Sequence, residues 1–235
     1  TNVGNGIQGI TDSLISNNLI CWDYSFANDA NDFIAIVSSA VTLSSVVCGT
    51  KDPNYVRIIA NPNEHSKEWN LPTIEIVHWQ ASDGTTIEGV LELPRGHTPT
   101  DGPLPMYVNL HGGPTSAETS DLEISMYGRG LLSSDGWAVF SPNYRGSTGY
   151  GDKFLTELIG RENDIEVQDI LEGVDAMVKR GIADPERLAV GGWSNGGYLT
   201  NCLITKTNRF KAASSGAGVF DQTMQWSIED TPGHV

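Results

Sequence analysis

Hydrophobic and polar positions follow two different styles along this chain. From Thr1 to about Asn70, short apolar runs alternate with clusters of turn formers. Leu19-Ile20-Cys21-Trp22, Phe33 to Val37, Ser44 to Cys48 and Tyr55 to Ile59 each read as a strand. Asn28 to Asp32 and Asn61-Pro62-Asn63 read as turns between them. Four short strands at this spacing predict one blade of the kind repeated in propellers. Seventy residues of meander leave open edges, so such a blade needs a neighbour against it.

From about Pro72 the period changes. Thr73 to Trp79 and Thr86 to Leu93 alternate at period two around Ser82-Asp83-Gly84, which predicts a hairpin. Pro105 to Leu110 and Trp137 to Ser141 are apolar runs bounded by glycine loops, as strands buried on both faces require. Val167, Ile170, Leu171, Val174 and Val178 recur at spacings of three and four, so 164–180 is expected as a helix. Asp164 and Glu166 suit its positive end, Lys179 and Arg180 its negative end, and Gly181 its stop. Leu188-Ala189-Val190 is a strand, a second helix runs to about Thr207, and Lys211 to Val219 is one more strand. Strands alternating with helices after a hairpin define an open α/β sheet. The expected division is residues 1–70 as the blade and 71–235 as the α/β part.

Composition narrows the class. Hydrophobic residues make up 39% of 235 positions, enough to exclude a largely disordered chain. Asp and Glu number 29 against 14 Lys and Arg, a net charge of −15. Such a chain repels phosphates, so no nucleic-acid partner is expected. The longest apolar stretch, Phe33 to Cys48, is broken by serines and is short for a bilayer span of roughly 20 residues, so no membrane partner is expected either. No basic start followed by an apolar run marks a signal peptide, and the compartment stays open between cytoplasmic and secreted. Cys21, Cys48 and Cys202 show no CxxC spacing, which argues against zinc or a redox motif. Cys21 with Cys48 as a pair, or buried free thiols, both remain open; Cys202 is expected in the core.

The candidate chemistry lies in three glycine-rich loops. Gly192-Trp193-Ser194-Asn195-Gly196 matches GxSxG between a strand and a helix. A serine on so sharp a turn is lifted above the sheet edge, and a side chain at either glycine would strike a neighbouring strand or helix. Asn109-Leu110-His111-Gly112-Gly113-Pro114 ends another strand. In α/β-hydrolases that loop supplies the second N–H of an oxyanion hole, here Gly113 beside Asn195. His111 precedes Ser194, so it is expected to shape the loop and not to act as the base. Ser141 to Gly151 forms the third loop, with Arg145 as a structural donor to backbone carbonyls or a carboxylate and Asp169 as its candidate partner. No P-loop lysine and no GxGxxG spacing is present, so no nucleotide cofactor and no metal are expected.

Taken in this order and spacing, HGGP, NYRGSTGYG and GWSNGGY resemble the prolyl oligopeptidase family of serine peptidases, in its acylaminoacyl-peptidase and dipeptidyl-peptidase-like branches. The resemblance runs from Leu71 to about Trp226, and Trp22 to Val37 matches a strand pair of that family's propeller. It implies a propeller joined to an α/β-hydrolase domain and short peptides as substrates. Ser194 is then the nucleophile, Asn195 and Gly113 the oxyanion hole, and Tyr144, Phe220, Met224 and Trp226 candidates for the substrate pocket, with core packing as the other reading of the last three. The acid and base of a triad normally follow two later strands. Asp221 and His234, the one histidine after Ser194, leave no room for those strands. The chain is therefore expected to be a fragment, inactive alone, whose partner is the remainder of its own catalytic domain or another subunit. A carboxylesterase of the same fold, and a non-catalytic binding protein, are the alternatives.

Overall fold

The computed structural model describes residues 19–28, 31–50, 52–124, 129–221 and 223–225. Four antiparallel strands come first: β1 (Ile20–Phe26), β2 (Asp32–Ser39), β3 (Thr42–Thr50) and β4 (Arg57–Ala60). They lie in the order β1-β2-β3-β4. This is the propeller-blade-like sheet that the spacing predicted. Alternation sets its two faces. Phe33, Ala35, Val37 and Val47 share a buried cluster, whereas Ile34 and Ile36 face out with Trp22 and Tyr24. The segment from Thr119 belongs to the same compact unit. Ser38 Oγ donates to Asp121 at 3.1 Å while accepting from Trp22 Nε1 at 2.7 Å, and the Leu122 amide donates to Ser39 O at 2.8 Å.

The second unit holds Glu75–Glu118 and the described residues from Leu131 onward. Its sheet contains β5 (Thr73–Gln80), β6 (Thr86–Leu93), β7 (Leu104–Leu110), β8 (Ala138–Asn143), β9 (Ala183–Trp193) and β10 (Phe210–Gly216). The order is β10-β9-β7-β8-β6-β5. β7, β8, β9 and β10 are mutually parallel, and β6 runs antiparallel to β8. With its helices this is the opening part of an α/β-hydrolase fold. The helices are α1 (Arg129–Ser134), α2 (Asp152–Thr156), α3 (Ile165–Lys179) and α4 (Asn195–Lys206).

All six residues of β8 are buried, which demands cover on both faces of the sheet. α3 supplies Val167, Ile170, Val174 and Met177 to this core, and α4 supplies Leu199 and Leu203. The buried stripe of α3 ends on Met177, with Val178 only partly buried beside it. Trp79 of β5 packs edge-on against Phe140 of β8 at 5.3 Å and donates from Nε1 to Asp169 O at 3.0 Å.

Two features depart from the sequence expectation. α1 and α2 were not foreseen; both are under two turns, too short for a periodic signal. β9 starts five residues early, at Ala183, and runs through Pro185. The register shifts between Leu104 and Met106 of its partner, and Asp184 accepts from the Glu186 amide at 2.9 Å and from Arg187 Nε at 2.7 Å. That local turn lets a proline sit in the strand without breaking the ladder. The cysteines are all free and half-buried, Cys202 included. Among the described residues no helix is long and apolar enough to cross a membrane.

Candidate active site

Parallel β7, β8 and β9 end at one edge of the sheet, with β7 in the middle. The register pairs Leu110 with Gly192, so the loop after β7 begins beside the turn after β9. The three glycine-rich loops therefore meet at the carboxyl edge, where ligands bind in open α/β sheets.

At the end of β9 the chain turns into α4 through Ser194, whose backbone is at φ 57°, ψ −121°. A non-glycine residue held in that region is strained and persists only where its surroundings fix it. They do so here. The Ser194 amide donates to Gly216 O at 2.9 Å, and Ser194 O accepts from the Tyr198 amide at 3.0 Å. A Cβ on Gly192 would lie 2.4 Å from Leu110 O, and one on Gly196 2.0 Å from the same atom. Both glycines of GxSxG are thus forced by the closeness of β7. Ser194 is exposed, and no side chain among the described residues hydrogen-bonds its Oγ.

The loop after β7 reaches the same point. A Cβ on Gly112 would come within 3.4 Å of Ser194 Cβ and 4.0 Å of its Oγ. Gly113 has φ +117°, and a Cβ there would meet the Thr115 amide at 2.5 Å. Gly113, Ser194 and Asn195 line one cleft of about 780 Å³. Amides in the first turn of a helix lack intrahelical acceptors, so the N-terminus of α4 faces this cleft with free donors.

His111 is held in that loop by both ring nitrogens. Nδ1 lies 2.7 Å from Gly112 O, which requires the Nδ1–H tautomer. Nε2 lies 2.8 Å from Ser147 Oγ, whose hydroxyl is shared with Tyr144 O at 2.7 Å. Burial pushes the imidazole pKa down to about 4, so the ring is neutral at pH 7. With both nitrogens engaged and no charge, His111 shapes its loop, as expected.

The loop after β8 is a clamp on its neighbour. Asn143 accepts from the Glu118 amide at 2.8 Å and donates to Glu118 O at 3.0 Å. Tyr144 is fully buried, stacks on His111 at 4.3 Å, and donates from its hydroxyl to His111 O at 2.7 Å. The same hydroxyl accepts from Asn195 Nδ2 at 3.3 Å. Tyr144 therefore ties the loop after β7 to α4 from below instead of standing on the cleft wall. Arg145, 2% exposed, donates to Asp169 from Nε at 2.9 Å and from Nη2 at 2.7 Å, and from Nη1 to Asp83. Its partners are carboxylates, Asp169 among them. The Thr85 amide, and then the guanidinium, hold the Asp83 carboxyl well below the usual range.

Of the other pocket candidates, Phe220 is 86% and Met224 56% exposed, and neither lines the cleft. Trp226 and His234 lie outside the described residues. Asp221 accepts from the Met224 amide at 3.0 Å, capping a turn. Residues that sequence reasoning passed over do line the cleft: Leu158, Asn163, Glu166 and Tyr198. A weak signal existed for one of them. Asn163-Asp164-Ile165-Glu166 has the spacing of a capping box, and Glu166 Oε1 accepts from the Asn163 amide at 2.6 Å. Among the described residues no group of three or more His, Cys, Asp or Glu is placed to hold a metal.

A serine on a strand-to-helix elbow, facing helix amides across a glycine loop, defines the serine hydrolases of the α/β-hydrolase fold. Residues 125–233 match the model of the prolyl oligopeptidase family. The chain is 30% identical over 197 residues to the uncharacterized peptidase YuxL of Bacillus subtilis, covering 81% of this chain and 28% of that protein. It is 39% identical over 129 residues to the acylamino-acid-releasing enzyme of Arabidopsis thaliana, covering 54% of this chain and 16% of that one. The fold superposes on Pyrococcus horikoshii acylaminoacyl peptidase with a TM-score of 0.80 at 22% identity, over 92% of this chain and 34% of the other. The chain belongs to the prolyl oligopeptidase family of serine peptidases. It spans about a third or less of the length of these relatives.

Proposed function

We propose that the protein is a serine peptidase that hydrolyses short peptides through an acyl-enzyme on Ser194. Ser194 Oγ bonds to the scissile carbonyl carbon while a base takes its proton. The carbonyl oxygen becomes an oxyanion between the N–H groups of Gly113 and Asn195, each worth a few kcal/mol. The C–N bond breaks as the base returns the proton to the leaving amine, and water then releases the acid by the reverse sequence. The observation that carries this reading is the strained, exposed Ser194 in one cleft with Asn195 and Gly113.

The base and its acid come from outside the described residues. His111 is neutral and engaged at both nitrogens, and no other described histidine touches Ser194. The blade supports a second inference, that residues 1–70 are the last part of a propeller preceding the catalytic domain. The test is steady-state hydrolysis by the full-length natural protein of N-acylated and free short peptide anilides against matched p-nitrophenyl esters. Cleavage of anilides with a pre-steady-state burst is expected. Turnover of esters alone would reassign the protein as a carboxylesterase, and turnover of neither would favour a binding protein.

A further inference from the structure

The lining of the cleft includes two acidic residues. It carries Glu162 and Glu166 with Asn163 and Tyr198. Glu166 sits in the first turn of α3 and is 4% exposed. Its Oε1 accepts from the Asn163 amide, but its Oε2 is buried without a hydrogen-bond partner among the described residues. A buried carboxylate oxygen left unpaired is costly and calls for a donor.

The nearest polar groups are turned to one another: Asn163 Oδ1 accepts from Cys202 Sγ at 2.7 Å, its Nδ2 donates to Tyr198, and its carbonyl accepts from Lys206 Nζ. Lys206 is the cation of α4 that acts on Glu166, and its ammonium donates to the Asn163 carbonyl. Oε2 is therefore an open acceptor for a donor group of a ligand in the cleft. A carboxylate prefers a cationic donor, because charge-assisted bonds are about twice as strong as neutral ones. Glu162 in the same lining adds to that preference.

We propose that Glu166, assisted by Glu162, forms a cation-recognition subsite of the cleft, taking the ammonium or guanidinium of a basic side chain of the peptide. The assignment rests on the reading of Ser194 as a peptidase nucleophile. It adds a preference for Lys or Arg over a neutral side chain of equal length. The charged and titratable groups that act on or alongside Glu166 are Glu162 from the preceding loop, Cys202 and Lys206 from α4, and Tyr144 from the loop after β8. Burial raises the Glu166 pKa, so cation binding should weaken as pH falls through that raised value and the carboxylate takes up a proton.

The test measures binding, which needs no catalysis. Isothermal titration of the full-length Ser194→Ala protein with N-acetyl-Ala-Ala-Lys amide and its norleucine twin reads the preference. The lysine peptide should bind about tenfold or more tightly. Glu166→Gln keeps the Oε1 acceptor for Asn163 and should bring the ratio near one. Equal affinities in the parent overturn the proposal without any change at position 166, as does a lysine preference that survives Glu166→Gln, or no binding of either peptide at millimolar concentration. Fluorophosphonate labelling of the wild type at Ser194 separates the two claims. Absent labelling with an intact lysine preference removes the peptidase reading and leaves the cation subsite standing.

Discussion

The loop after β8 and the turn after β9 leave the same edge of one sheet, yet they treat their polar groups in opposite ways. Ser141 and Asn143 at the end of β8, and Arg145 and Ser147 in the loop that follows, are all buried, and Asn143, Arg145 and Ser147 bond to neighbouring backbone or to carboxylates. Ser194 is exposed, its Oγ is hydrogen-bonded by no described side chain, and its backbone is held in a strained conformation. One loop spends its hydrogen-bonding capacity on its surroundings, and the other keeps it for a ligand. Polarity and glycine content look alike in the two. What separates support from chemistry is whether the polar atoms are already satisfied.

Substitutions on the two sides should therefore fail differently. Ser194→Ala in the full-length protein is expected to lower kcat by about 10⁴-fold or more while leaving thermal stability and peptide affinity nearly unchanged. Arg145→Met should do the reverse. It strands the fully buried Asp169 carboxylate, at a cost of about 3–5 kcal/mol in urea unfolding, with activity per folded molecule largely kept.

A third expectation concerns pH. His111 has a folded pKa near 4, below its ordinary value of about 6.5. Between those values the unfolded chain binds more protons, so stability should fall as pH drops from about 6.5 to 4, by on the order of 3 kcal/mol at most. His111→Gln should lack that component when denaturant midpoints are compared across the window. The smallest effect is expected from Tyr144→Phe. Loss of the hydroxyl between His111 O and Asn195 Nδ2 should cost about 1 kcal/mol and less than tenfold in kcat. A larger loss of kcat than of stability there would make Tyr144 part of the chemistry and erase the contrast between the loops.

Much of this fold can be read from periodicity because the patterns are local. The hairpin of β5 and β6, the stripe of α3 and the elbow all follow from spacing within a few residues. Ser194 and the two clashing glycines were readable because the elbow has few sequence solutions. Arg145 with Asp169 was reachable, since a buried arginine needs a carboxylate. Tyr144 was not. A tyrosine beside a glycine loop suits a cleft wall as well as a core, and only the approach of His111 decides between them. Glu166 was read as a helix-end charge, and its orphan oxygen exists only once α3, α4 and the cleft are assembled. The docking of the Thr119 segment on the blade depends on residues about 80 positions apart, which no local pattern encodes.

Whether Ser194 is an activated nucleophile is decided by fluorophosphonate labelling of the full-length natural protein, with the modified peptide located by mass spectrometry. A single adduct is expected on the peptide carrying Gly192-Trp193-Ser194-Asn195-Gly196, absent after denaturation and absent in Ser194→Ala. A folded protein that remains unlabelled, or one labelled at another serine, would contradict it.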